Sequence, residues 1–136
     1  MFAALEFWRR KLEKQTCPLI DSTESAVRQL EFIRNKKQEY FVLFTLDGAS
    51  RMINLHTISV GTLTASIVHP MDVFAPALKD RANSIIVAHT PPSGSLIIGD
   101  KDKEVTRRIR ETRELMGIRL NDHIIVTSES FVSAMR

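Results

Sequence analysis

The amino-acid sequence predicts an α/β fold in which a mixed β-sheet is flanked by helices. One observation is a hairpin pattern over residues 39–59, where two runs rich in aromatic and β-branched residues flank the turn signal Asp47-Gly48. The other is a buried strand, a loop and a helix over residues 84–116, followed by another strand-like run. A hairpin needs antiparallel pairing and a strand–helix–strand crossover needs parallel pairing, so the sheet is expected to contain both.

Length and composition fit one globular domain. The chain has 136 residues, of which 43% are hydrophobic and 26% are charged, as is ordinary for a protein with a sizeable apolar core. No apolar run approaches the roughly 18 residues that a membrane-spanning helix needs. The formal net charge is +3, but acidic residues are interspersed with the basic ones, so we expect neither membrane association nor nucleic-acid binding.

The N-terminal segment predicts a cytoplasmic protein. Residues 1–14 are apolar only as far as Trp8 and lack the apolar centre and cleavage site of a secretory signal. The single cysteine, Cys17, has no second cysteine in the chain with which to form a disulfide, which suits a reducing compartment.

Residues 1–20 are expected to form an N-terminal helical extension, and residues 21–136 the main domain. Apolar residues recur at spacings of three and four, which is typical of an amphipathic helix. They are Phe2, Leu5, Trp8 and Leu12. Two interpretations are open: this helix packs on its own domain, or it binds a protein partner or a second copy of the chain through Phe2 and Trp8.

The chain between the extension and the buried strand reads as helix, hairpin, loop and helix. The first helix is expected from Ser22 or Thr23, acting as N-cap, to about Lys36. Strict alternation over the second hairpin strand, residues 51–59, predicts one shared face. Its members are Met52, Asn54, His56 and Ile58. The next helix follows Pro70, and its predicted apolar face consists of Val73, Phe74, Ala77 and Leu78.

The C-terminal half reads as strand, loop, helix and two strands. Residues 84–88 form a continuous apolar run, typical of a strand covered on both faces. A helix is predicted from about Asp100 to Met116, with Gly117 as its stop, and strands over 119–126 and from 131. The loop 89–99 then lies at the carboxyl end of the buried strand, where α/β sheets usually bind ligands.

Seven short segments resemble, in order and spacing over about residues 38–134, the RadC branch of the JAB/MPN (JAMM) metalloprotease family. They are Glu39-Tyr40-Phe41, Gly61-Thr62-Leu63, His69-Pro70, His89-Thr90-Pro91-Pro92-Ser93-Gly94, Gly99-x-x-Asp102, Val105-Thr106 and Asp122-His123-Ile124-Ile125. The resemblance implies the JAB/MPN fold, which has a cytidine deaminase-like architecture. The resemblance does not cover residues 1–20, and it includes no counterpart of the helix-hairpin-helix domain of longer RadC proteins.

The resemblance also implies a chemistry. In the family, two loop histidines and an aspartate hold zinc, a strand glutamate moves the proton of the zinc-bound water, and a serine stabilises the oxyanion during peptide or isopeptide hydrolysis. Carried over to this chain, Glu39 is the proton-transfer residue, and His89 and Asp102 are metal ligands. The position of the second histidine holds Pro91 and that of the serine holds Gly99. Proline offers zinc no side-chain donor atom, and glycine has no hydroxyl.

Zinc is therefore expected to bind weakly or not at all, and a binding or scaffolding role becomes the leading hypothesis. The alternative is a zinc hydrolase whose site is completed by a moved His69 or by a partner chain. His89 and Asp102 could also remain only as a hydrogen-bonded pair. His56, His69 and His123 match no metal-ligand position, so structural roles are expected for them.

A third hypothesis is DNA binding through the arginine-rich helix. Its basic residues alternate with glutamates, which is more typical of a solvated helical face. The basic residues are Arg107, Arg108, Arg110 and Arg113, and the glutamates are Glu104, Glu111 and Glu114.

Overall fold

The structure, a computed structural model, describes residues 17–61, 68–91 and 94–135. The helix predicted over residues 1–14 therefore lies outside the described residues, as do Thr62 and Leu63. The elements are α1 (Thr23–Arg28), α2 (Glu31–Arg34), β1 (Tyr40–Leu46), β2 (Met52–Val60), α3 (Pro70–Lys79), β3 (Ser84–His89), α4 (Asp100–Met116), β4 (Arg119–Val126) and β5 (Phe131–Ser133).

The strands of the described residues form one mixed sheet in the order β2-β1-β3-β4-β5. β1 is antiparallel to both β2 and β3, β3 is parallel to β4, and β4 is antiparallel to β5. The parallel pair is joined by α4, as the crossover pattern predicted. All six residues of β3 are buried, so the prediction of a central strand covered on both faces is confirmed.

Helices cover both faces of the sheet, and each face has its own apolar cluster. On one face, α1 and α2 pack their buried residues against alternate side chains of β1, including Val42 and Phe44. On the other, α3 and α4 pack against the intervening ones, including Phe41 and Leu43. The strand alternation therefore divides β1 between two cores, and this confirms an α/β fold flanked by helices.

The predicted first helix is two short helices rather than one. Ser22 is the N-cap, and its hydroxyl accepts the Ser25 N–H (3.1 Å). The helix then ends near Gln29, and α2 begins at Glu31 and stops at Arg34, two residues before the predicted end. Tertiary contacts explain the change, because Leu30 is fully buried at the break and Arg34 Nε donates to the Thr127 carbonyl in the β4–β5 turn (2.7 Å).

The chain just before α1 also belongs to the packed structure. The Ile20 N–H donates to the Ser50 carbonyl and the Met52 N–H donates to the Pro18 carbonyl, at 2.8 and 2.9 Å. Ile20 is buried in the α1/α2 cluster. Residues 18–20, which the sequence assigned to the extension, therefore pair with the start of β2.

The predicted shared face of β2 is wrong at Met52. Thr45 is paired with Asn54 and the next β1 residue, Leu46, with Met52, so one β2 residue bulges out of the ladder. An extra residue reverses the side-chain alternation beyond it. Met52 accordingly packs with the α1/α2 cluster, whereas Ile58 packs with the α3/α4 cluster.

Helices α3 and α4 lie on the same face and differ in how well the sequence predicted them. Val73, Phe74 and Ala77 are buried as expected, but Leu78 is 49% exposed, so its assignment to the apolar face was wrong. The bounds of α4 match the prediction, and Gly117 ends the helix in the left-handed region at φ 69°.

Candidate functional site

The candidate site lies where β3 ends beside the start of β1. The register places His89 opposite Phe41, and the two aromatic rings stack with centroids 5.9 Å apart and planes 8° apart. Beyond the strand, Thr90 continues the pairing: its N–H donates to the Tyr40 carbonyl (3.0 Å), and its hydroxyl accepts the Tyr40 N–H (2.9 Å). These bonds fix the first residue of the loop.

The structure brings two of the predicted site residues into contact. His89 Nε2 lies 3.0 Å from Asp102 Oδ1, joining the end of β3 to the first turn of α4. The other carboxylate oxygen accepts the Gly99 N–H (2.9 Å), so Asp102 also caps the helix N-terminus. The hydrogen bond from His89 lowers the pKa of Asp102, and it outweighs the opposing effect of partial burial, with the Gly99 N–H helping.

Two further side chains extend this contact into a closed circuit. His89 Nδ1 lies 3.0 Å from His123 Nε2, and His123 Nδ1 lies 2.6 Å from the Thr106 hydroxyl. The Thr106 hydroxyl also lies 3.0 Å from the backbone carbonyl of Asp102. The circuit therefore starts and ends at Asp102 and links β3, β4 and α4. We call these four residues, Asp102, His89, His123 and Thr106, the histidine circuit.

The histidine circuit is buried, which constrains its protonation. His123 is fully buried, and burial, with His89 adding to it, lowers the pKa of His123 to about 3. A neutral imidazole has one N–H and one acceptor nitrogen. The neutral His123 ring therefore needs a donor on one side and an acceptor on the other, and His89 and Thr106 lie on its two sides.

Glu39, the predicted proton-transfer residue, lies directly before β1 at the same edge of the sheet as His89. Its backbone carbonyl accepts the Gly61 N–H (3.0 Å), and Phe41, two residues further on, is the register partner of His89. Pro91 follows the fixed Thr90, and Gly99 is the N-cap of α4. The positions that the motif assigns to one site therefore converge on this edge, including the two that hold proline and glycine.

The donor set lacks one of the three protein ligands of a catalytic zinc ion. Such a site takes three protein ligands and keeps a fourth position for water. Within residues 17–61, 68–91 and 94–135 no group of three His, Cys, Asp or Glu side chains could hold a metal ion. His89 has both ring nitrogens in hydrogen-bond contacts, and position 91 offers no donor.

His56 belongs to a different cluster from the candidate site. Its Nε2 lies 2.6 Å from Asp80 Oδ2, which also accepts the Thr45 hydroxyl (2.7 Å). This cluster ties β2 and β1 to the end of α3. His69 is the N-cap of α3, with no side-chain capping bond. The structural role expected for His56 agrees with these contacts.

A structural role was expected for His123, but its pairing with His89 and Thr106 was not predicted from the sequence. Thr106 and His123 both lie in segments that match the family, Val105-Thr106 and Asp122-His123. The sequence alone does not show that their side chains are in contact, because that contact depends on the tertiary structure. Neighbouring Asp122 faces the other side of the sheet, where its carboxylate accepts the Thr23 hydroxyl (2.6 Å) and the Ser133 hydroxyl. Adjacent residues of β4 therefore serve opposite layers.

The arginine-rich face of α4 carries ion pairs of the predicted kind. Arg107 contacts Glu104 and Glu111, each at 2.6 Å, and Arg108 contacts Glu104 at 3.1 Å. A groove of about 280 Å³ beside this face is lined by side chains of both signs, including Lys103, Arg107 and Glu111. The face therefore presents mixed charge.

The fold and the convergence of these segments define an α/β domain of the JAB/MPN type. The family model described as RadC-like JAB domain matches residues 20–136. The chain belongs to the RadC-like JAB domain family.

Curated relatives are similar over much of the chain. A UPF0758 protein of Syntrophotalea carbinolica is 45% identical over 103 residues, which is 76% of this chain and 45% of that protein. A UPF0758 protein of Bacillus cereus (strain AH187) is 40% identical over 136 residues, which is 98% of this chain and 60% of that protein. One of Finegoldia magna is 48% identical over 95 residues, or 70% of this chain and 43% of that protein. The chain thus spans about half the length of the curated relatives it matches.

Among the described residues, none of the helices combines the length and the apolar character needed to cross a membrane.

Proposed function

We propose that this chain is a RadC-like JAB domain that has lost zinc-dependent peptidase activity and acts as a binding or scaffolding module. The observation that carries the proposal is the contact between His89 Nε2 and Asp102 Oδ1. The two remaining ligand side chains are hydrogen-bonded to each other, and Pro91 and Gly99 stand where a third ligand and an oxyanion donor are expected.

The magnitude of the loss supports this reading. Removing an outer partner of a metal ligand typically costs about 10–100-fold in affinity or activity, and removing a ligand itself costs more. Glycine at position 99 leaves only a backbone N–H there, and Asp102 already accepts it. Two changes in one loop therefore remove affinity for the ion and stabilisation of the oxyanion together.

Exposed apolar side chains support a binding role. Ile97, in the loop that leads into α4, is 82% exposed, and Met71, in the first turn of α3, is 74% exposed. Val60, which ends β2 opposite Tyr40, is 49% exposed. Apolar side chains of this kind suit a protein partner. The N-terminal segment with Phe2 and Trp8 is the second candidate contact, with a protein partner or another copy of the chain.

Metal content and hydrolysis measured together test the loss of activity. Protein purified without chelator is analysed for zinc, dialysed against one equivalent of zinc and analysed again, and then incubated with isopeptide-linked and linear peptide substrates. The proposal expects far less than one zinc per chain and no hydrolysis above that of a His89→Ala variant. Stoichiometric zinc that is lost in His89→Ala or Asp102→Ala would refute it.

The binding role needs its own test, because an inactive domain need not bind anything. Sedimentation velocity of the full chain is compared with Trp8→Ala and Ile97→Asp variants, alone and with candidate protein partners. The proposal expects an association that one of the two variants weakens at least tenfold. An association unchanged by both substitutions, or a chain that associates with nothing, contradicts the assigned surfaces.

The alternative, a zinc hydrolase with a rearranged site, rests on one specific observation. The two family ligands lie side by side at the edge where Glu39 precedes β1, so a ligand from a partner chain could complete the set. The same measurements separate the two functions, since a completed site takes up zinc stoichiometrically and hydrolyses substrate only in the presence of the partner.

A further inference from the structure

The contacts of the histidine circuit form a ring. The four contacts run from the Asp102 carboxylate through His89, His123 and Thr106 to the Asp102 carbonyl, at 3.0, 3.0, 2.6 and 3.0 Å. Both ends of this series are oxygen atoms of Asp102. The backbone carbonyl only accepts hydrogen bonds, and so does the side chain when its carboxyl group is ionised. The positions of the protons along the ring are therefore not independent of one another.

With both rings neutral, the ionised carboxylate fixes the tautomers. Asp102 can only accept, so His89 carries its proton on Nε2 and leaves Nδ1 as an acceptor. His123 must then donate from Nε2 to His89 and accept at Nδ1 from the Thr106 hydroxyl. Because that hydroxyl has one proton, its 3.0 Å contact with the Asp102 carbonyl then carries none. The opposite assignment would point the bare Nε2 of His89 at the carboxylate, two acceptors 3.0 Å apart. Each assignment leaves one of the four contacts without a proton, but a nitrogen lone pair that faces an ionised carboxylate is more costly than a hydroxyl oxygen that faces a backbone carbonyl.

Zinc would demand the reverse arrangement. A metal bound at His89 Nε2 uses the lone pair of that nitrogen, so the ring proton must move to Nδ1 and be donated to a partner. His123 would then accept at Nε2 and donate from Nδ1 to Thr106. The tautomers of the two buried rings thus report whether the circuit holds a proton or a metal ion.

We propose that in this chain a proton on His89 Nε2 takes the place of the family's metal ion, and that the histidine circuit is a metal-independent cross-link between α4 and the central strands. The inference rests on the proposed loss of zinc binding and deepens it. The circuit anchors the first turn of α4, including the Gly99–Asp102 cap, without an ion. It thereby fixes the carboxyl end of the loop that carries Ile97.

The tautomers are measured directly on the unmodified protein. Two-bond ¹H–¹⁵N correlation spectra of the histidine rings are recorded at pH 8, before and after one equivalent of zinc. The proposal expects Nε2–H tautomers for His89 and His123, with resonances unchanged by zinc. His56, whose Nε2 contacts Asp80 outside the circuit, is the internal reference for an Nε2–H ring. An Nδ1–H tautomer at His89 before zinc is added would overturn the proposal.

Substitutions test the cross-link independently. Thr106→Val removes the hydroxyl while retaining shape, and Asp102→Ala removes the carboxylate. Asp100→Ala is the matched control, because Asp100 lies in the same first turn of α4 but is exposed. In urea unfolding, each circuit variant should lower the folding equilibrium constant by about tenfold or more, and the control by a clearly smaller factor. Equal losses in Asp102→Ala and Asp100→Ala would mean that only the helix dipole is affected.

A double-mutant cycle measures the contact itself. If His89 and Asp102 act together, His89→Gln combined with Asp102→Ala loses less than the product of the two single fold-losses. If the fold-loss of the double variant equals the product of the two single fold-losses, the cross-link is refuted. If a variant does not fold, the tautomer measurement still decides. Stoichiometric zinc uptake refutes the proposed function, whereas a wrong tautomer without zinc uptake refutes only this inference.

Discussion

Restoring the missing ligand should restore zinc binding, because the other two ligands are already close together. His89 Nε2 and Asp102 Oδ1 are 3.0 Å apart, whereas two ligands of a tetrahedral zinc at ordinary bond lengths are separated by about 3.3 Å. An increase of about 0.3 Å in this distance would therefore admit the ion between the two atoms, once the proton on His89 Nε2 has left. We predict that Pro91→His, combined with Gly99→Ser, binds zinc with three protein ligands.

Zinc-dependent stability measures the expected effect. A ligand that binds only the folded state at a free concentration 100 times its dissociation constant raises the free energy of unfolding by about 2.7 kcal/mol. We expect a gain of this order for the double variant in urea unfolding with buffered zinc, and none for the unmodified chain. The ring proton of His89 should move to Nδ1 at the same time.

The control separates a new ligand from a loosened loop. Pro91→Ala, with Gly99→Ser, releases the backbone constraint of proline without adding a zinc donor. If this control gains as much stability from zinc as the histidine variant, the ion binds elsewhere. If the histidine variant gains nothing, the loop does not direct position 91 towards His89 and Asp102, and the carry-over of the motif to this loop is wrong.

Three further predictions concern the scaffold. Asp122→Ala should lower the free energy of unfolding by on the order of 3 kcal/mol in urea titration, because two buried hydroxyls and a backbone N–H lose their acceptor; a loss below about 1 kcal/mol would contradict this. Burial tends to raise the pKa of Asp80, but hydrogen bonds from His56 and two neighbours outweigh it and lower the pKa. Its stabilising contribution is therefore present above the unfolded value near pH 3.8 and is lost as the pH falls through the lower folded value; Asp80→Asn should flatten that acid limb, and an unchanged limb would refute the assignment. Gly117→Ala should cost about 1 kcal/mol, because residue 117 has a φ of 69°; thermal melts check it, and no change would mean that the turn relaxes.

Particular residues show which features of the structure could be predicted from the sequence. The hairpin turn at Asp47-Gly48, the buried run of β3 and the stop at Gly117 are local signals, and each was confirmed. The convergence of His89 with Asp102 was implied by the family resemblance. The bulge beside Met52 and the break at Leu30 left no comparable local pattern, because each depends on which core a side chain joins.

The sequence by itself determined the family, the mixed sheet with its parallel crossover, and the identity of the residues at the loop, including Pro91 and Gly99. These follow from short-range periodicity, turn chemistry and motif spacing, which are properties of neighbouring residues. Only the tertiary structure decided that His89 contacts both Asp102 and His123 and that Thr106 closes the ring. Residues 89, 102, 106 and 123 come from β3, α4 and β4, and their contacts exist only because the crossover packs that helix over the two parallel strands.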